Sequence, residues 1–430
     1  MPAAPKPIGF WRGWSLVVGA TIGSGIFMLP ALLAPFGLLG IAGWLVAGAG
    51  ALVLSLMLAD LSRSFPLIGG PYAYARRGMG DFIGFWVGWG YWIAIWAATA
   101  AIAVACVGYL SFFFPILNTN ALASAALTLA LIWSLIAINS RSISASGNVQ
   151  LVTTFLKILP LLLVGTLGLI GGNYDHVPPL NPSGGNYLAV IATSVTLVMW
   201  AFVGLEGGTV PANDMKDPDR LIPRILIAGT LTVLAVYLVA YFGVILLLPA
   251  DLLSASSAPF ADASVASLGR PGAGLIAAGA IMATFGALNA QILLSGQLVR
   301  AIALDGLFPG RLDQLNSGGT PAKAMILSGV FASVLVLTNY TKGLVEAFNM
   351  MILLSTLTTL IPMAFAAITA LIIFRGHPKA GRKLATAGLA FCYALLVIIG
   401  AGQETVFYGF ILLMSAMPVY ALIKRPTRAD

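Results

Sequence analysis

Apolar runs of about twenty residues recur along almost the whole of this chain, and nothing constrains its fold more. A run of that length matches one helix crossing a bilayer, whereas a membrane barrel would show alternating strands of about ten residues. Backbone amides cannot reach water inside a bilayer, so they must be satisfied within a helix or a closed barrel. Only 8% of the residues are charged and 59% are hydrophobic, against roughly 25% charged in soluble domains. These figures exclude a solvated surface of ordinary size and point to an all-α, polytopic membrane protein.

The runs lie near 13–33, 39–60, 82–111, 121–139, 150–172, 187–209, 222–248, 271–300, 322–339, 346–374, 384–400 and 403–423, which predicts twelve spans in one transmembrane domain. The first run lacks a small-residue cleavage site after it and is read as a retained span. Threading the runs through a bilayer puts every Lys and Arg except Arg270, Lys342 and Lys157 on one side. That asymmetry makes the side holding both termini cytoplasmic. It also accounts for the net charge of +8 without a nucleic-acid partner. A modest attraction to anionic lipid headgroups is the remaining expectation. Cys106 and Cys392 lie in separate apolar runs and give neither a disulfide framework nor a metal spacing.

Two runs are interrupted. GSG at 23–25 breaks the first, where a lipid-facing helix would gain from leucine or isoleucine, and GLEGG at 204–208 breaks the sixth. Freed backbone groups at membrane depth are tolerable where they line a cavity or meet a ligand. Breaks in corresponding positions of two halves point to a binding site at the interface of inverted repeats, spans 1–5 and 6–10. The repeats would cover about 13–172 and 187–374, with two extra helices at about 384–423. Small-residue packing between intact helices is the plainer reading of Gly23–Gly25.

The break backbone carries chemistry of its own. N–H groups at Ser24 and Gly25 would open a half-helix at its positive end, suited to a carboxylate. Carbonyls near Thr21, Trp200 and Val203 would face the same space and accept from an ammonium. Opposite polarity within a few ångströms suits a zwitterion, hence an amino acid.

Two ionisable side chains fall inside runs. Glu206 costs roughly 2.5–3.5 kcal/mol there unless it faces a cavity, binds a cation or takes up a proton. Burial disfavours its charged form, which suits proton exchange; a neutral or paired structural residue at the break is the alternative. Lys157, in the fifth run, supplies either a fixed or switchable positive charge within the bundle or a side chain snorkelling to the cytoplasmic interface. GGPYAYARR at 69–77, the stretch 214–224 and the stretch 300–305 read as solvated or hinge connections, and 259–268 as a short surface helix. His176 and His377 lie in loops, and with no serine–histidine pairing or metal cluster in the sequence an enzyme reading, or a cofactor, has nothing to stand on.

GSGIF at 23–27, GGPYAYARR at 69–77, FVGLE at 202–206, DPDRLIP at 217–223 and DGLFP at 305–309, in that order, resemble the amino acid–polyamine–organocation transporters. The resemblance covers nearly the whole chain and is nearest to bacterial arginine/agmatine, putrescine/ornithine and lysine/cadaverine antiporters. It implies two inverted five-helix repeats with helices 1 and 6 broken, two further helices, frequent homodimers, alternating access and a place in the cell inner membrane. It also implies a substrate site at Gly23, Ser24 and Gly25 in which the substrate carboxylate meets backbone N–H groups at Ser24 and Gly25, and in which the amino group meets carbonyls at Thr21, Trp200 and Val203. Glu206 matches a pH-sensing or gating carboxylate, and Tyr91, Ala94 and Ser355 fall on positions near the pocket.

Departures from the arginine antiporters matter for the substrate. Gln291 replaces a tryptophan that stacks on the guanidinium, Thr99 replaces an asparagine that bonds it, and Met363 replaces an outer-gate tyrosine. A desolvated cation thereby loses an aromatic partner worth about 2 kcal/mol. Lys157 resembles the fifth-helix lysine of family members that carry neutral amino acids. The expected function is secondary active transport of an amino acid or its amine, by exchange or proton coupling. Basic and neutral amino acids both stay open as substrates.

Overall fold

The computed structural model describes residues 9–64, 71–141, 147–205, 218–376 and 380–423. Within them the apolar runs form helices and no strand is present. The first run gives α1 (Phe10–Thr21) and α2 (Ser24–Leu33), followed by α3 (Leu39–Ser64) and α4 (Pro71–Leu110). A short α5 (Ile116–Thr119) leads into α6 (Ala121–Asn139), α7 (Gly147–Gly171) and α8 (Tyr187–Phe202). Then come α9 (Pro218–Leu247), α10 (Ala250–Ala255), α11 (Pro259–Leu304) and α12 (Ala322–Asn339). The chain closes with α13 (Leu344–Phe374), α14 (Ala380–Gly400), α15 (Gln403–Met414) and α16 (Ala416–Ile423).

Among the described residues, nine helical segments are long and apolar enough to cross a membrane. Shorter apolar helices occur at Gly25–Phe36, Lys157–Gly171 and Tyr187–Phe202. Large apolar side chains such as Ile170, Leu275, Ile399 and Leu422 stand fully outward. In water such a surface would be an aggregation liability; against lipid tails it costs nothing.

Polar caps set several helix starts. The Asn120 side chain accepts from the Ala123 N–H at 3.0 Å, and that of Asn186 from the Leu188 N–H at 2.9 Å. These caps satisfy first-turn donors that have no partner within the helix. Small residues then set how closely helices approach, because apolar burial alone does not drive association in lipid. A Cβ on Gly168 of α7 would fall 2.1 Å from the Gly243 carbonyl oxygen of α9. Likewise, a Cβ on Gly43 of α3 would meet Ser194 Cβ of α8 at 2.7 Å. α4 packs along α13 and α11, α3 along α8, and α1 against α9 and α7.

The structure revises several boundaries. The stretch 69–77, read as a turn-rich connection, is helical from Pro71 on; Gly80 (φ 87°) then redirects the chain into the apolar part of α4. Residues 259–268 are helical as expected but do not lie on the surface throughout, since Phe260, Ala261, Ala263 and Ser264 are buried; Gly269 (φ 65°) makes the equivalent bend before the rest of α11. The last run is divided at Ser415 into α15 and α16. The break at Gly23 is present, and α8 stops at Phe202, seven residues short of the predicted end of its run at 209. Glu206 and the rest of 206–217 lie outside the described residues.

Candidate functional site: the two helix breaks

α1 ends at Thr21 because the chain turns extended at Ile22 (ψ 95°) and opens further at Gly23 (φ −133°, ψ −144°). α2 restarts at Ser24, and its N-cap is Gly23, which has no side chain to cap the first-turn N–H groups. Those donors and the helix dipole together form an uncapped positive end. α8 ends in the same manner: Val203 is extended (ψ 130°), its N–H reaches back to the Trp200 carbonyl at 3.4 Å, and Gly204 takes φ 111°. A left-handed backbone of that kind favours glycine.

The two breaks touch. A Cβ on Gly25 would lie 3.0 Å from Ala201 Cα and 3.0 Å from Trp200 Cδ1. Only the missing side chain lets the start of α2 rest on the last turn of α8. Gly23 faces α11, where Ala287 Cβ is 3.8 Å from the position a Cβ would take. Gln291, half-buried, follows one turn later on the same helix. The structure thus gathers Gly23, Gly25, Trp200 and the α11 face around one locus.

Tyr237 on α9 is the residue that sequence reasoning missed. Its hydroxyl lies 3.0 Å from the Thr21 carbonyl oxygen and 3.2 Å from that of Ala201, with one proton to share between them. It is fully buried, packed among Trp44 and Phe202 with ring centroids at 5.3 and 5.9 Å. A tyrosine in the middle of an apolar run was the available signal, since a buried phenol needs a polar partner. The Thr21 carbonyl is therefore partly committed within the protein, although an oxygen with two lone pairs can accept again.

Lys157 reaches the same break from α7. Its Nζ donates to the Gly19 carbonyl at 3.4 Å, and the residue is half-buried. The ammonium thus points into the bundle toward α1. Trp200 contributes a different feature: its indole N–H is buried and has no acceptor among the described residues. A buried donor without a partner costs about 1–3 kcal/mol, which a ligand acceptor would recover.

The remaining candidates are arranged less directly. Ser355 on α13 donates to the Ala94 carbonyl of α4 at 2.8 Å, so these two positions are joined to each other. The Thr99 hydroxyl donates to the Ile95 carbonyl at 2.9 Å, which uses its proton within α4. Tyr91 is half-buried on the same helix. No group of three or more His, Cys, Asp or Glu among the described residues is placed to hold a metal ion.

Open space lies on both sides of the breaks. A vestibule of about 680 Å³ enters from the end of the bundle that carries α5, α10 and Lys342, and its walls include Leu197, one turn before Trp200, and Leu353, two residues before Ser355. On the other side a void of about 10 Å³, room for roughly one water, touches Met199, Val203, Thr359 and Met363.

Known proteins resemble this chain over nearly its whole length. The family described as amino acid permease matches residues 8–423. A putative arginine/ornithine antiporter of Bacillus subtilis is 31% identical over 97% of this chain and 97% of its own. The cadaverine/lysine antiporter of Escherichia coli is 30% identical over 97% and 95%, and a putrescine transporter of Haemophilus influenzae is 26% identical over 98% of each. With a match that runs through both helix breaks and nearly every helix, this chain belongs to the amino acid permease family.

Proposed function

We propose that this protein is a multi-pass permease of the bacterial inner membrane that moves amino acids, or an amino acid against its amine, by alternating access between the two sides. The observation that carries this reading is the contact of the two breaks at Gly25 and Trp200–Ala201. It brings an uncapped helix start, a helix end and an unpartnered indole N–H to one place. The helix start suits a carboxylate and the helix end an ammonium. Twelve spans in two inverted five-helix repeats plus two extra helices, with both termini cytoplasmic, account for the helix order and the charge bias. Glu206 is the coupling carboxylate in this reading, with protons the coupling ions where transport is not pure exchange, and a homodimer is the assembly.

A basic amino acid exchanged for its amine is the substrate pair favoured by the names of the relatives. A specific observation favours small neutral amino acids instead. Gln291 and Thr99 offer a side-chain cation no charge, and Lys157 adds a positive one beside α1.

The deciding experiment is a thermal-shift screen of the purified protein against amino acids and polyamines. A ligand that binds only the folded state raises its melting temperature with concentration. Stabilisation by arginine, lysine, ornithine or putrescine selects the basic reading, and stabilisation by alanine or serine alone selects the neutral one. A flat response to every amino acid and amine rejects the proposal.

A further inference from the structure

The large vestibule holds chemistry that the central site does not use. Its wall carries Lys342, just before α13, and Glu346, in the first turn of that helix. Both are exposed, and neither makes an ion pair among the described residues. The same wall carries Asn349, one turn on, whose side-chain oxygen is buried without a hydrogen-bond partner among the described residues. Across the cavity Asn118 lines the wall and accepts from the Ser257 hydroxyl at 2.7 Å, and its amide N–H groups have no hydrogen-bond partner among the described residues. Ala31, Leu32 and Phe36 line the α2 side with apolar surface.

A concave wall of about 680 Å³ with one ammonium, one carboxylate, an open acceptor and an open donor is built for a ligand of mixed charge. Two opposite charges left unpaired while sharing one cavity are available to a third party. Each also steers: a charged cleft raises the local concentration of the ligand it complements. A zwitterion satisfies both charges, whereas a diamine satisfies Glu346 and is opposed by Lys342.

We propose that this vestibule is a loading site for a zwitterionic amino acid before it reaches the helix breaks, with Glu346 and the Asn349 oxygen receiving the ammonium and Lys342 and Asn118 receiving the carboxylate. The site deepens the transport reading above and rests on it. It gives the two faces of the protein different selectivity: entry from the vestibule side favours an amino acid over the decarboxylated amine. Both charges remain in contact with water, so the site is weak and acts on capture rather than on turnover.

The test uses right-side-out and inverted membrane vesicles carrying the full-length protein, with labelled lysine, arginine, ornithine, alanine, serine and putrescine as probes. For the amino acid that is carried, Lys342→Met and Glu346→Gln each raise KM about three-fold or more from the vestibule side. KM from the opposite side and the maximal rate stay within two-fold, and Glu346→Asp restores the wild-type value. Where putrescine is carried as well, Lys342→Met lowers its KM while raising that of the amino acid, a divergence that a structural disturbance would not produce. If the wild type carries none of the probes, the transport reading falls and the loading site with it. If the wild type carries an amino acid and both variants keep its KM, or shift it equally from both sides, the loading site alone is overturned.

Discussion

The Tyr237 hydroxyl stands 3.0 Å from the carbonyl oxygen of Thr21, the residue at which α1 stops. The same hydroxyl is 3.2 Å from the Ala201 carbonyl, at the end of α8. One phenol on α9 thus holds both interrupted helices, and any movement of one break relative to the other must change its hydrogen bonding. Tyr237→Phe keeps the ring among Trp44 and Phe202 and removes only this link. The variant should lose about 1–3 kcal/mol of stability from the unsatisfied carbonyls, read as a lowered melting temperature. Its exchange rate should change more than its substrate affinity; equal rates for variant and wild type would show that the link is only structural.

Gly25→Ala tests the contact between the breaks. The new methyl would lie 3.0 Å from Ala201 Cα, and backbone yields less readily than a flexible side chain. Overpacking of this kind costs about 1–3 kcal/mol, taken up by moving α2 off α8. Ligand-induced stabilisation should fall at least ten-fold in potency while the protein still inserts and purifies. Gly286→Ala on α11, where a Cβ meets nothing within 4 Å, is the matched control and should behave as wild type.

Lys157→Ala removes the ammonium that reaches the Gly19 carbonyl. The expected result is a turnover reduced at least ten-fold with little change in melting temperature, because a half-buried charge contributes modestly to folding but sits beside the break at the end of α1. Normal turnover would assign Lys157 to snorkelling. The companion variant Glu206→Gln cannot change charge with pH. Transport by the wild type should vary with pH and transport by Glu206→Gln should not; an unchanged profile would remove Glu206 from coupling.

Asp60 separates two kinds of charge pair. Its carboxylate is 3% exposed and contacts Arg63 on its own helix and, at 3.2 Å, Arg382 on α14. The Arg382 side chain is 65% exposed, so Arg382→Ala should cost no more than about 1 kcal/mol. Arg63→Ala removes the more enclosed partner of a buried carboxylate and, with Arg382 still in reach, should cost about 1.5–3 kcal/mol. Melting temperatures in detergent should rank the variants in that order.

Which parts of the molecule could be read from the sequence follows from how local their causes are. The apolar runs announced helices because each must satisfy its backbone internally in lipid, and this depends only on residues within the run. Gly23–Gly25 announced a break for the same reason. Residues 69–77 were read as a solvated or hinge connection because a Gly-Gly-Pro run and two arginines look like a loop, yet from Pro71 on they form a helix in which Tyr72, Tyr74 and Ala75 are buried, a packing that no local pattern reports.

The sequence by itself therefore determined the helices, the first break, the charge bias and the family, each through short-range pattern or ordered motifs. Tertiary structure alone decided that Gly25 rests on Ala201, that Tyr237 reaches two carbonyls, and that the GGPYAYARR and DGLFP stretches meet through Tyr72, Arg76 and Asp305 at 2.7 Å. These partners lie 36 to 233 positions apart where their hydrogen bonds record the separation. Their meeting depends on how closely helices pack, which is set by small residues on several elements at once and carries no signature in any one of them.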